Sequence, residues 1–92
     1  MYKLGTIQRI ADLTVTTTPG ATAVLKAGVY SVINNSDYDC FVKKVSVAAD
    51  VTTSNGQRLI SGNEVEIDVS EGDKIGAITA SGTATLEICK IL

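Results

Sequence analysis

The sequence contains no histidine and no tryptophan. Without histidine, the commonest general base and the commonest zinc ligand are missing, and neither a Ser-His-Asp triad nor a Cys-His nucleophile can be built. With only three tyrosines and one phenylalanine, the chain also has few rings on which a base or a sugar could stack. The composition therefore predicts a protein that is not an enzyme.

Long apolar runs and an excess of positive charge are missing as well. No segment approaches the roughly 18 apolar residues that suggest a membrane span, and the beginning, MYKLGTIQRIADL, lacks the uninterrupted apolar run of a signal peptide. Eight basic residues against ten acidic ones give a net charge of -2, whereas a nucleic-acid binder usually carries a basic patch. We expect a soluble protein, made without export, whose partner is neither a membrane nor a nucleic acid.

The sequence has only two cysteines, Cys40 and Cys89. Each lies in an apolar run, CFV and LEIC respectively, which is the usual setting of a small buried thiol. Because no export signal is present, the pattern favours two reduced thiols over a disulfide between them.

The apolar residues that are present recur mostly at every second position, and no stripe of helical period continues for three turns. In Glu64 to Val69 the acidic residues alternate with Val65, Ile67 and Val69, so one face of a strand is wet and the other is core. Residues that favour turns flank this strand on both sides, as Ser61-Gly62-Asn63 and Ser70-Glu71-Gly72-Asp73. The pattern indicates a β-strand with both ends marked.

Similar strand and turn patterns follow one another along the 92 residues, which is the length of one domain. The sequence predicts an all-β, single-domain β-sandwich or jelly-roll-like barrel of about 7–8 short antiparallel strands. Residues 13–92 form the predicted sandwich domain, while residues 1–12 fit either an N-terminal arm or the first strand. The predicted core contains Val65, Ile67, Val69, Ile75, Leu86 and Ile88.

Side chains with reactive or metal-binding chemistry are few and poorly placed. Asp37 and Asp39, on either side of Tyr38, form the best candidate for a calcium site, but the calcium-loop spacing and its closing glutamate are missing, which favours a polar turn. The carboxylates of Glu64 to Asp68 are typical of a solvated strand face. We therefore predict no catalytic residue, no cofactor-binding residue and no metal ligand.

Two stretches of the C-terminal half carry a resemblance to a known group. The run VTTSNGQRLISG at Val51 to Gly62 and the closing run ASGTATLEI at Ala80 to Ile88, with the alternating strand between them, resemble small structural proteins of tailed bacteriophages. The resemblance implies a capsid decoration or cement protein, a non-enzymatic virion protein that binds the outside of the major capsid protein shell and stabilises it. It also implies assembly in the host cytoplasm and a final location on the outer capsid surface.

Residues 1–12 and the Tyr38 loop are the predicted partner-binding segments. Residues 1–12 carry more apolar surface than a free tail usually exposes, and tyrosine is enriched at contact hot spots. The predicted interface residues are Tyr2, Ile7, Arg9, Ile10 and Tyr38, with Arg9 meeting an acidic group.

Two further interpretations concern assembly and function. Exposed sheet edges are a hazard for a small β-protein, so a homo-oligomer, a dimer or trimer, is expected. A ligand- or carbohydrate-binding β-sandwich of the fibre or receptor-binding type is the alternative function, and an enzyme is the third.

Overall fold

The computed structural model of the protein describes residues 7–92. These residues form eight strands and a single 3-10 turn of helix at Ala48–Asp50, so the all-β prediction is confirmed. The strands are β1 (Ile7–Val15), β2 (Gly20–Ala21), β3 (Gly28–Asn34), β4 (Cys40–Val45), β5 (Gln57–Leu59), β6 (Glu64–Val69), β7 (Lys74–Ile78) and β8 (Ala84–Ile91).

The strands form two antiparallel sheets of four strands each. The first sheet has the order β1-β8-β3-β6 and the second has the order β2-β7-β4-β5. No ladder joins the two sheets in the described chain, so the fold is a sandwich rather than the closed barrel that the sequence left open. No helix within residues 7–92 is long and apolar enough to cross a membrane.

The turns around β6 form where the sequence predicts them. Gly62 and Gly72 have φ angles of +83° and +90°, a region that glycine enters without steric cost. The Ser70 N–H donates to the Asp73 carboxylate at 3.3 Å, which closes the turn between β6 and β7. The strand between these turns exposes Glu64, Glu66 and Asp68, so the predicted wet face is confirmed.

The main core lies between the two sheets. Val69, Ile75, Leu86 and Ile88 are buried there as predicted. Val65 and Ile67 are only partly buried, because β6 is an edge strand and no neighbouring strand covers its outer side. The predicted facing of β6 is therefore correct, but two of its three apolar side chains lie at the margin of the core.

A smaller apolar cluster lies on the outer face of the second sheet. Val45, Val51 and Ile78 are buried there, with Phe41 packed against them. Gly76 makes this packing possible, since a Cβ at that position would lie 2.8 Å from the Cγ2 atom of Val45. The segment that follows β4 is thus held against the sheet by apolar contacts.

Residues 7–12 belong to β1, which pairs with β8 along its length. The register shifts between Arg9 and Ala11, so Ile10 lies at a β-bulge and is 40% exposed. Of the two alternatives for residues 1–12, the structure therefore gives the first strand for residues 7–12. Residues 1–6, with the predicted anchor Tyr2, lie outside the described residues.

Cys40 and Cys89 are both buried free thiols, as predicted, but they lie on different faces. Cys40 belongs to the main core, and burial raises the pKa of its thiol to about 11. Cys89 follows the core residue Ile88 and pairs with Arg9 and Ser31, so it points to the outer face of the first sheet. Burial also raises the pKa of Cys89, which keeps both thiols protonated and unreactive near neutral pH.

Candidate functional site

A hollow of about 340 Å³ lies at one end of the sandwich. It is formed by the loop that leads into β4, by β5, and by the turn between β7 and β8. Its lining residues are Asp37, Tyr38, Asp39, Phe41, Arg58, Ala80 and Ser81. Tyr38 is 46% exposed there, so part of this residue is accessible to a partner.

The loop that carries Tyr38 is fixed by Asn34, the last residue of β3. The Asn34 side chain is fully buried, and its Nδ2 donates to the backbone carbonyls of Tyr38 at 2.7 Å and Leu59 at 3.0 Å. The Ser36 hydroxyl donates to Asn34 Oδ1 at 2.6 Å, which satisfies the acceptor end of the amide. One buried amide thus links the Tyr38 loop to the end of β5.

Asp39 forms the second link between the same two segments. Its Oδ2 accepts from Arg58 Nε at 3.1 Å and from Arg58 Nη2 at 2.6 Å, and its Oδ1 accepts from the Ser61 backbone N–H at 3.0 Å. The Ser61 N–H, followed by the Arg58 guanidinium, holds the pKa of the Asp39 carboxyl below its ordinary value of 3.8. Arg58 is thereby held in the lining of the hollow that also contains Tyr38.

We expect the Asp39 carboxyl to titrate below 3.8 in the folded protein. A folded pKa below the unfolded one means that this group stabilises the fold above the unfolded pKa. The contribution is lost as the pH falls through the folded pKa. A carboxyl-carbon NMR titration measures this directly, and Arg58→Ala should raise the value only in part, since the Ser61 N–H remains. Titration of the wild-type carboxyl at or above 3.8 would contradict the geometry.

The Tyr38 ring packs over Gly82 in the turn between β7 and β8. A Cβ at Gly82 would lie 2.6 Å from two atoms of the ring, and the φ angle of +77° disfavours any other residue. The Thr79 hydroxyl donates to the Gly82 carbonyl at 2.8 Å and holds the turn in place. The turn at Gly82 therefore supports one side of the ring.

The predicted interface residues do not form a single surface. Ile7 pairs with Ile91, which pairs with Val29 near the start of β3, whereas Tyr38 is bonded to Asn34 at the end of β3. At about 3.3 Å per residue, these ends of β3 are roughly 17 Å apart. Ile7, Arg9 and Ile10 thus lie away from the hollow that contains Tyr38.

Arg9 has its acidic partners within its own chain. Its guanidinium lies 3.0 Å from the carboxylate of Glu87 and also pairs with Asp12. The side chain is more than half exposed, so these are surface ion pairs of small energy. The predicted acidic partner of Arg9 does not have to come from another molecule.

The acidic side chains at the hollow do not form a cluster of metal ligands. Within residues 7–92, no group of three or more histidine, cysteine or acidic side chains lies close enough to hold a metal ion. Of the two carboxylates proposed for calcium, Asp39 is already occupied by Arg58 and Ser61. Arg58 was not predicted as an interface residue. The one sequence feature that could have indicated it is its position within the stretch Val51 to Gly62, which resembles phage proteins.

Comparisons with protein-family models, with curated proteins and with solved structures each gave no match. The assignment of a role to the hollow therefore depends on its residues and on the sequence resemblance. Its exposed tyrosine, exposed arginine and rigid supporting loops are the features typical of a contact site.

Proposed function

We propose that this protein is a non-enzymatic virion structural protein, a capsid decoration or cement protein of a tailed bacteriophage. It binds the outer surface of the major capsid protein shell and stabilises that shell. It assembles there in the host cytoplasm and needs neither a cofactor nor a metal. Nucleic acid and membrane are not its partners.

The main observation behind this proposal is that the two stretches that resemble phage proteins lie at the same hollow. Arg58 and Ser61 come from the stretch Val51 to Gly62, and Ala80 to Gly82 come from the stretch that closes at Ile88. Both stretches line or support the hollow around Tyr38. Segments far apart in sequence that share a resemblance thus build one exposed surface, which supports a common binding role.

Tyrosine and arginine side chains carry much of the energy at protein interfaces, because each offers a large contact area together with hydrogen-bond donors. The Asn34 and Asp39 bonds hold this pair in place before a partner arrives, so little conformational entropy is lost on binding. A shell presents many equivalent sites, and modest contacts repeated over a homo-oligomer add through multivalency.

Replacing Tyr38 with alanine is expected to weaken binding to shells by at least about 30-fold, which corresponds to the roughly 2 kcal/mol of a hot-spot residue. Tyr38→Phe, which keeps the ring, should lose less. The measurement is cosedimentation with shells assembled from the major capsid protein of the same phage. Val24→Ala is the control, since Val24 is exposed and does not line the hollow. Failure of the wild-type protein to bind any such shell would overturn the proposal.

The second candidate function is carbohydrate or small-ligand binding by the same hollow. The observation in its favour is that an exposed ring lies beside the polar side chains of Asp37, Asp39 and Arg58, a combination that suits a hydroxyl-rich ligand. A glycan array distinguishes the two functions. Binding of a defined glycan that Tyr38→Ala abolishes, without binding to shells, would favour this candidate.

A further inference from the structure

A groove of about 330 Å³ opens along one side of the sandwich, between β6 of the first sheet and β4 of the second. Val42, Val65 and Ile67 are its apolar lining residues, while Lys43 and Lys44 line the β4 side. Val65 and Ile67 are only partly buried by the main core. The groove therefore exposes apolar side chains at alternate positions along one strand.

The backbone of β6 is open to further pairing at this groove. Within the described residues, β6 pairs with β3 alone, and its register is continuous from Glu64 to Val69. About half of its N–H and C=O groups point away from β3, since successive residues of a strand direct these groups to opposite edges. On the facing strand, β5 pairs only with Cys40–Val42, so no ladder of the described chain continues beside Lys43 on that side, and Gln57 of β5 lines the groove.

The charge along β6 restricts which strand can bind there. Glu64, Glu66 and Asp68 point to the same outer face, so a second β6 would place carboxylates opposite carboxylates. A fitting strand needs apolar residues at alternate positions for the groove and a cation between them for the outer face. Such a strand would pair with the edge and neutralise its charge at the same time.

We infer that this groove binds the segment Tyr2-Lys3-Leu4 of a second copy of the chain as an added β-strand. In an extended segment, Tyr2 and Leu4 would share one face and Lys3 would point to the other. With Lys3 opposite Glu66, Tyr2 lies beside Ile67 and Leu4 lies beside Val65. The apolar side chains fill the groove, and the ammonium group meets the acidic outer face.

The same segment cannot occupy the groove of its own molecule. Ile7 pairs with Ile91, Ile91 with Val29, and Val29 with Asp68, so Ile7 is separated from β6 by three strand spacings, roughly 14 Å. Leu4 is three residues from Ile7, and three extended residues span at most roughly 11 Å. The segment that fills the groove therefore comes from a second molecule.

The opposite edge of the first sheet is less suited to such pairing. β1 contains the bulge at Ile10, and its Arg9 and Asp12 are already paired with each other. Bulges and charged residues are the devices by which edge strands avoid unwanted partners. The regular edge of β6 is thus the site through which copies associate, independently of the proposed binding to shells.

Reversing the charge of Lys3 and of Glu66, singly and together, tests this inference. Native mass spectrometry and analytical ultracentrifugation should show an oligomer for the wild type. Lys3→Glu and Glu66→Lys should each raise the dissociation constant at least about 5-fold, and the double variant should return towards the wild-type value. Glu71→Lys makes the same charge change on an exposed turn outside the groove and should leave association unchanged. A monomeric wild type, or equal loss in Glu66→Lys and Glu71→Lys, would overturn the inference.

Cross-linking locates the segment directly. Opposed residues on paired strands lie within disulfide distance, so a Leu4→Cys variant mixed with a Val65→Cys variant should form a mixed disulfide under mild oxidation. Leu4→Cys mixed with Thr85→Cys is the control, because Thr85 is exposed on β8, away from the groove. Deleting residues 1–6 should abolish association while the far-ultraviolet circular dichroism spectrum remains that of the folded protein. Equal cross-linking to both positions, or association that survives the deletion, would contradict the assignment.

Discussion

Replacing Leu86 with alanine is expected to lower the free energy of unfolding by about 2 to 5 kcal/mol, the range for deleting a large buried side chain. Leu86 is 0% exposed and lies on β8, which has a neighbouring strand on each side. The surrounding strands cannot close over the missing side chain, so a cavity adds to the lost burial of apolar surface. Urea denaturation followed by far-ultraviolet circular dichroism measures the change.

Thr85→Ala is the matched control for this experiment. Thr85 is the neighbouring residue on the same strand but is exposed, and a substitution there should change the free energy of unfolding by no more than roughly 0.5 kcal/mol. Similar losses for the two variants would mean that the facing of β8 is wrong. An unchanged dependence on urea would show that both variants still unfold in the same transition.

Replacing Asn34 with alanine should lower the free energy of unfolding by about 2 to 4 kcal/mol. The substitution removes two donors and leaves the carbonyls of Tyr38 and Leu59 without this partner beneath the loop. An unsatisfied buried polar group costs about 1 to 3 kcal/mol. Chemical denaturation measures the stability, and amide hydrogen exchange of residues 35–39 measures the order of the loop.

Asn35→Ala separates this effect from a general intolerance of substitution in the loop. Asn35 is exposed, and its backbone N–H, which any non-proline residue retains, donates to the Thr85 carbonyl at 3.2 Å. We expect Asn35→Ala to keep nearly all of the stability and the exchange protection. An Asn34→Ala protein as stable as Asn35→Ala would show that the buried amide does not hold the loop.

The proposed binding to shells and the inferred association between copies use different surfaces. The hollow lies at the end of the sandwich where Tyr38 is held, while the groove follows the outer edge of β6. No residue lines both, so variants at Tyr38 should lose shell binding without loss of association, and Glu66→Lys should do the reverse. Multivalent attachment to a shell would combine both contacts.

Local sequence patterns were sufficient to predict β6 and the turns on either side of it. The alternation in Glu64 to Val69 gives both the strand and its wet face, and the glycines at 62 and 72 mark its ends because they accept positive φ angles. The apolar positions Leu86 and Ile88 are buried as their alternation predicts. These features depend on residues that are close together in the chain, so they can be predicted from the sequence alone.

The alternation of apolar and polar residues does not predict how deeply each apolar side chain is buried. Val65 and Ile67 have the same pattern as Leu86 and Ile88, yet they are only partly buried because β6 is at an edge and β8 is between two strands. Strand order is set by pairing between residues distant in sequence, such as Ile7 with Ile91. Alternation shows which residues share a face, but not which strand lies beside them.

By itself, the sequence determined an all-β domain, its turns, its buried thiols and the polar face of β6, because each follows from local side-chain pattern and backbone preference. Only the tertiary structure determined that Cys89 lies on an outer face, that Arg58 and Tyr38 line the same hollow, and that a groove opens along β6. These arrangements arise where strands from distant parts of the chain pair. Pairing partners are chosen by the packing of the whole sandwich, which no single segment encodes.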